Sequence, residues 1–230
     1  LFYADPNRIL TALLSKRGLI PAPDTTTRDG RRIFYSHIDG DGFASDSSFR
    51  GRPLCGELVR DRVLKVFPFP VTVSVIEADM RTLAEGLEDT DRSRIQDIAR
   101  SIFAMPNVQA ASFPHPYQWD ADDPNPGIYD EPNMPLKPAA NYPRIDPARE
   151  ITGSVDYINK NLLPEGKRVG LMLWSGNCRP GVRALQVCRE LGIENMNGGN
   201  TIVSRLYPGI SGTAPRVMQW AGELQIHAAN

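Results

Sequence analysis

The strongest constraint on the fold is an alternation of short apolar segments with longer amphipathic ones. The short segments are rich in β-branched and aromatic residues and indicate strands, and the longer ones show the spacing of a helix. The predicted strands are 33–38, 71–76, 108–112 and 169–174, and the predicted helices are 55–67, 94–104, 147–162 and 182–191. Gly192 follows the last helix as its C-cap. This alternation predicts an α/β fold, in which helices cover a mostly parallel sheet.

Length and local composition predict one domain with a connector before it. A chain of 230 residues buries a sizeable core, and this length suits a single α/β barrel. Residues 1–30 combine a short amphipathic stretch with a Pro- and Thr-rich segment, which predicts a connector from a preceding domain. Residues 31–230 are predicted to form the domain itself. We expect this domain to belong to a longer protein and to continue past residue 230.

Charge and hydropathy disfavour two classes of partner. The chain carries 26 basic and 27 acidic residues, mixed along its length, and a formal net charge of −1. Such a chain has no extended field that would attract a polyanion, so nucleic acid is not expected as a partner. No segment approaches the roughly 18 apolar residues of a membrane span. The three cysteines, Cys55, Cys178 and Cys188, have neither disulfide-framework nor CxxC spacing.

Two carboxylates follow the first predicted strand. Asp39 and Asp41 lie in the segment His37-Ile-Asp-Gly-Asp-Gly-Phe43, and the carboxyl ends of parallel strands hold the active sites of α/β folds. Like charges this close together require a cation, a shared proton or strong hydrogen bonds. A metal ion bound by one carboxylate, with the other acting as a base, meets that requirement. An exposed turn explains the same Asp-Gly composition equally well.

A histidine flanked by aromatic residues follows the strand predicted at 108–112. His115 is a candidate metal ligand or sugar contact, although a hydrogen-bonded structural role is the commoner fate of such a residue. Tyr117 and Trp119 present flat faces that suit sugar rings, and packing at the rim of a barrel is a comparable explanation. The segment 120–146 is dense in Pro, Asp and Asn, which predicts a functional loop beside the same edge of the sheet rather than a helix.

A third candidate segment follows the strand predicted at 169–174. Trp174 and Arg179 flank a turn that opens a helix, where backbone N–H groups and a guanidinium could stabilise an oxyanion or orient a carboxylate. An ordinary strand-to-helix turn is an equally good interpretation. Cys178 lies in this turn without a histidine nearby in sequence, which argues against a cysteine nucleophile.

Five segments, taken in order, resemble the deacetylase domain of PelA-type exopolysaccharide proteins. They are 33–43, 71–77, 108–119, 151–159 and 195–199, and the resemblance spans about residues 20 to 230. It implies kinship with NodB-like polysaccharide deacetylases, which have a distorted (β/α)7-type barrel and a divalent metal, usually Zn²⁺. It further implies an aminosugar polysaccharide as substrate and a periplasmic or extracellular location in a bacterium.

The resemblance assigns roles to four residues of this chain. Asp39 takes the position of the general base and Asp41 that of the metal-binding aspartate. His115 takes the position of the second histidine in the His-(Ser/Thr)-x-x-His metal motif. His227 echoes a late histidine motif of NodB-like enzymes, which makes it a possible general acid. Tyr117, Trp119, Trp174 and Arg179 are the predicted substrate contacts.

The sequence departs from the family pattern where the first metal-binding histidine belongs. An ungapped comparison puts Ala111 in its place, whereas a gapped one leaves a His and a Thr missing between Ser112 and Phe113. We therefore expect either a break in the chain at this point or the loss of a ligand. Asp41 and His115 alone supply two ligands, which predicts weak zinc binding. His37 is an alternative third ligand.

Three functions remain open at this stage. The first is metal-dependent de-N-acetylation of an exopolysaccharide, impaired by the missing histidine. The second is a polysaccharide-binding module that has lost catalysis. The third, a glycoside hydrolase that uses a pair of carboxylates, fits the sequence least well, because the matching segments belong to the deacetylase domain.

Overall fold

The fold is an α/β arrangement built on a mostly parallel sheet. A computed structural model describes residues 27–28, 31–32, 35–81, 89–114, 148–176, 178–198 and 216–227. Two short strands, β1 (Thr27–Arg28) and β2 (Arg31–Arg32), pair with each other in antiparallel fashion. The main sheet contains β3 (His37–Ile38), β4 (Val71–Ile76), β5 (Val108–Phe113), β6 (Leu171–Leu173), β7 (Glu194–Met196), β8 (Arg216–Trp220) and β9 (Glu223–His227).

Within the described residues, the main sheet has seven strands in the order β3-β4-β5-β6-β7-β9-β8. Every neighbouring pair is parallel except β8 and β9, which form an antiparallel hairpin. Ala221 and Gly222 form the turn of this hairpin, with φ of 47° and 89°. Positive φ at both positions matches the twist of the strands that the turn joins. The predicted α/β class and mostly parallel sheet are thus confirmed.

Helices connect successive parallel strands. They are α1 (Cys55–Leu58), which continues as the π-helical segment Val59–Leu64, α2 (Glu77–Met80), α3 (Asp89–Phe103), the π-helical segment Arg149–Gly153, which runs into α4 (Ser154–Asn161), and α5 (Gly181–Leu191). The Glu57 side chain accepts a hydrogen bond from the N–H of Leu54 and so caps the first turn of α1. Gly192 ends α5 in the left-handed conformation, with φ of 66°, as the sequence predicts.

Both faces of the central strands are buried. Side chains of Val73, Val75, Val108 and Ala110 face the helices and pack in the main core. The opposite face forms a second, smaller cluster of residues, mostly from strands: Ile76, Ala78, Ala111, Phe113, Leu171 and Leu173. Burial on both faces is typical of parallel strands and explains their nearly continuous apolar sequences.

The sheet is strongly curved. Asp39 directly follows β3 and Asn197 directly follows β7, and three strands lie between β3 and β7 in the sheet. Neighbouring strands are about 4.8 Å apart, so in a flat sheet these residues would be separated by about 19 Å. Instead, Nδ2 of Asn197 lies 3.2 Å from each carboxylate oxygen of Asp39. The sheet therefore curls until these two ends meet.

The described helices are all too short or too polar to cross a membrane.

Candidate active site

The carboxyl ends of several parallel strands meet around Asp39. Asp39 follows β3, Cys178 lies in the turn after β6, Asn197 follows β7, and His227 is the last residue of β9. Because these strands run parallel, their carboxyl ends lie at one edge of the sheet. The curvature of the sheet then brings the residues at this edge together. We call this group, Asp39, Cys178, Asn197 and His227, the edge cluster.

The Asp39 carboxylate has two polar neighbours. Asn197 donates from Nδ2 to both of its oxygens at 3.2 Å, and Nε2 of His37 lies 3.6 Å from Oδ1. Burial raises the pKa of Asp39, while His37 and the Asn197 hydrogen bond oppose that rise and the charge of Asp41 adds to it. Asp39 is therefore a partly desolvated carboxylate in a fixed position, which is the environment of a general base.

Asn197 is held from several directions. It is 3% exposed, its backbone N–H donates to the carbonyl of Ile226 at 3.1 Å, and its Nδ2 also donates to the carbonyl of Trp174 at 2.9 Å. The side chain of Gln225 donates to the Asn197 carbonyl at 3.2 Å. Three acceptors surround Nδ2, which fixes the orientation of the amide, since the reversed amide would point an oxygen at other oxygens. The amide Oδ1 is buried without a hydrogen-bond partner.

Two glycines allow neighbouring segments of the chain to approach each other closely at this edge. A Cβ at Gly198, where φ is +97°, would lie 2.8 Å from Cβ of Cys178. A Cβ at Gly40 would lie 2.9 Å from Cβ of Phe113 and 3.0 Å from Cα of Val75. Distances this short do not occur between real side chains, so both positions require glycine. The segment between Asp39 and Asp41 thus folds tightly over the ends of β4 and β5.

The metal site predicted at this edge is only partly described. Asp41 is exposed beside Asp39, and partial burial raises its pKa while its own backbone N–H opposes the rise. His115 lies outside the described residues, as do Tyr117, Trp119 and the segment 120–146. Among the residues that the structure does describe, no group of three ligating side chains is present. The described part of the chain therefore does not complete a zinc site.

The strand that precedes His115 is continuous. β5 pairs with β4 residue by residue through Ser112, opposite Val75, and Phe113, opposite Ile76. Ser112 also shares a hydrogen bond of 2.5 Å with the hydroxyl of Ser154. Of the two expected alternatives, a break in the chain and the loss of a ligand, the continuous strand fits the loss of a ligand. The strand contains no histidine at this point.

The residues predicted after β6 have different environments. Trp174 is 1% exposed and its indole Nε1 donates to Oδ1 of Asn195 at 3.0 Å, so contact with a sugar would require the ring to leave the core. Arg179 is exposed. Burial, and secondarily the charge of Asp39, raises the pKa of Cys178 to about 11. Cys178 is therefore a neutral thiol at pH 7, which supports the argument against a cysteine nucleophile.

His227 lies at the predicted edge, beside the backbone of residues 197 and 198. Its Nε2 is buried without a hydrogen-bond partner and would lie 3.6 Å from a Cβ at Gly198. Burial and the charge of Arg216 lower the pKa of its imidazole. A neutral imidazole has no proton to donate at Nε2 when its proton is on the other ring nitrogen, so a role as general acid requires protonation during turnover.

A second polar cluster, which the sequence did not predict, follows β4. Glu77 is 1% exposed and lies 3.0 Å from Nη1 of Arg149, and it also accepts a hydrogen bond from Arg81. Glu150 lies 3.3 Å from the same Arg149 nitrogen. Asp79 is 5% exposed, and burial alone raises its pKa to about 7. The arginines thus stabilise Glu77, whereas Asp79 is a carboxyl group that favours its neutral form.

Comparison with family models, with curated proteins and with solved structures finds no match to this chain in any of the three. Any assignment of function therefore depends on the residues and geometry of the edge cluster and on the resemblance of the sequence segments.

Proposed function

We propose that this chain is a polysaccharide de-N-acetylase of the PelA type, acting on an exopolysaccharide that contains N-acetylhexosamine. The observation that carries the proposal is the position of Asp39. Its carboxylate lies at the carboxyl edge of a curved parallel sheet, and an amide donor holds both of its oxygens. This is where the sequence resemblance requires the general base to be.

The curvature of the sheet supports the finer proposal of a distorted β/α barrel of the NodB-like kind. Asp39 and Asn197 are in contact although three strands separate those they follow. The smaller apolar cluster, on the face away from the helices, would then form the interior of the barrel. Barrel interiors are filled by side chains from alternate strand positions, and Ala111 and Phe113 of β5 occupy such positions.

In the proposed reaction, Asp39 takes a proton from water as the water oxygen attacks the N-acetyl carbonyl carbon. The tetrahedral intermediate then loses the sugar amine, which takes up a proton, and acetate is released. His227 is the proposed donor of that proton. Asn197 keeps Asp39 in place throughout, while the tight Gly40 turn limits the movement of the segment that carries it.

A divalent metal, which we propose to be Zn²⁺, would polarise the acetyl carbonyl if it bound beside this base. The proposed ligands are Asp41 and His115, with substrate contacts from Tyr117, Trp119 and Arg179. Two protein ligands are fewer than the three of typical catalytic zinc sites, so we propose weak metal binding. We further propose that the domain works in the periplasm or outside a bacterial cell, as part of a longer protein.

The experiment is to measure acetate and reducing ends released from a partly acetylated aminosugar polymer. We expect acetate without new reducing ends, and a loss of at least about 100-fold in rate for Asp39→Asn, since general bases contribute about that much or more. Asp97→Asn is the matched control, because Asp97 is an exposed aspartate on α3 that pairs with Arg100 of the same helix. Equal rates for the two variants would refute the role of Asp39.

One observation favours a second candidate, a polysaccharide-binding module without catalysis. β5 continues through Ser112 and Phe113 without the histidine of the family motif. A wild-type chain that binds the polymer but releases no acetate at any zinc concentration would establish this alternative. Release of reducing ends would instead indicate a glycoside hydrolase.

A further inference from the structure

We infer that Asn197 is the positioning residue of this site, holding the carboxylate of Asp39 in the orientation needed to take a proton from water. The catalytic part of this inference rests on the proposed de-N-acetylation. The contact itself is a property of the structure and joins two residues 158 positions apart in the sequence.

The geometry of the amide fixes both the position and the plane of the carboxylate. Nδ2 of Asn197 has two protons and three acceptors, namely both oxygens of Asp39 at 3.2 Å and the carbonyl of Trp174 at 2.9 Å. One proton is therefore shared between the carboxylate oxygens and the other anchors the amide to β6. Rotation of the Asp39 carboxylate about its own axis would break at least one of these contacts.

The backbone of Asn197 is itself anchored on β9. Its N–H donates to the carbonyl of Ile226 at 3.1 Å, and its carbonyl accepts from the side chain of Gln225 at 3.2 Å. Gln225 also donates to the carbonyl of Cys178 at 2.8 Å. Asn197 is thus held by β9 and by the residue after β6, and its amide in turn holds the carboxylate that follows β3.

The backbone conformation of Asn197 allows its side chain to be removed without strain in the backbone. Its φ is +106°, a value that glycine adopts without strain and that other residues rarely adopt. Asn197→Gly therefore suits the observed backbone and removes the side chain that carries the amide. If asparagine were needed here merely for its tolerance of positive φ, glycine would serve equally well.

The first test compares steady-state kinetics of acetate release by the wild type, Asn197→Gly and Asn195→Ala. We expect Asn197→Gly to lower kcat by about 10- to 100-fold with little change in KM, because a misplaced catalytic group slows chemistry more than binding. Asn195 is the matched control, a buried asparagine two residues earlier that bonds to Trp174 and Leu224 but not to Asp39. Asn195→Ala should lower stability and keep kcat. A wild-type kcat in Asn197→Gly, or the same loss in both variants, would overturn the inference.

The second test does not depend on activity. Urea unfolding of Asp39→Ala, Asn197→Gly and the double variant forms a double-mutant cycle, and we expect the two changes in unfolding free energy not to add. Additive effects would show that the two side chains do not interact. If the wild-type chain releases no acetate, the proposed function fails, and the cycle still decides whether Asn197 holds Asp39.

Discussion

Asp79 offers a test of the electrostatics of this fold that is independent of catalysis. Its carboxyl group is buried directly after β4, and burial raises its pKa to about 7. In the unfolded chain the same group has a pKa of about 3.9. Between these two values the folded chain holds the proton and the unfolded chain does not, so the free energy of unfolding falls as pH rises from about 4 to about 7.

The size of the effect follows from the two pKa values. The free energy of unfolding falls by about 1.4 kcal/mol for each pH unit between these two pKa values. Above pH 7 the wild type is therefore about 4 kcal/mol less stable than at about pH 4. This is an upper limit, because water can enter and solvate the ionised group. Asp79→Asn is neutral at every pH and removes this dependence. The variant should therefore match the wild type near pH 4 and exceed its stability at pH 8 by up to about 4 kcal/mol.

Urea unfolding at pH 4, 6 and 8 measures the difference directly. Asp97→Asn is the control, since Asp97 is exposed on α3 and its replacement should change little at any pH. The reasoning is refuted if Asp79→Asn and the wild type differ by the same amount at all three pH values. It is equally refuted if the variant is the less stable protein at pH 8.

Three further measurements test other features of the structure. Gly40→Ala should destabilise the chain by about 1–3 kcal/mol in urea unfolding, because the new methyl group meets the backbone of β4 and a side chain of β5. The control, Gly153→Ala, has room for the methyl group and should be neutral or slightly stabilising. Equal effects of the two substitutions would contradict this. Lys167→Met should lower the free energy of unfolding by about 2 kcal/mol, since the Lys167 ammonium group donates to three backbone carbonyls between the end of α3 and the start of β5. Unchanged stability would refute this role of Lys167. Zinc titration calorimetry should show weak binding that Asp41→Asn weakens further, and one tightly held equivalent that survives a chelator would contradict a site with two ligands.

The sequence predicts the fold best where local pattern and tertiary environment agree. β4 has the predicted bounds, and α5 ends at Leu191 with Gly192 as its C-cap, as expected. The strands β7, β8 and β9 were not predicted, because β7 is short, most residues of the edge strand β8 are exposed, and the buried residues of β9 include the polar Glu223 and Gln225. Exposed residues such as Val217 carry little information about which face is buried.

Residues of the candidate site were likewise predicted where a local motif marks them and missed where only the tertiary fold brings them together. Asp39 and Asp41 were predicted from a local motif at a strand end, and the structure places both at the carboxyl edge of β3. Asn197 was not predicted as a site residue, because its contact with Asp39 depends on how far the sheet curls, and no local pattern records that. The role of His115 stays a prediction, since it lies outside the described residues.

The order of strands in the sheet has a consequence for how the protein is made. From β3 to β7, each strand lies beside the one before it in the chain, so during synthesis each can dock on a neighbour that is already present. Asn197 is synthesised 158 residues after Asp39, and its backbone is anchored only when β9 arrives. Most of the sheet can therefore form before Asn197 holds the Asp39 carboxylate. The contact between Asn197 and Asp39 is thus completed only with the docking of the β8–β9 hairpin.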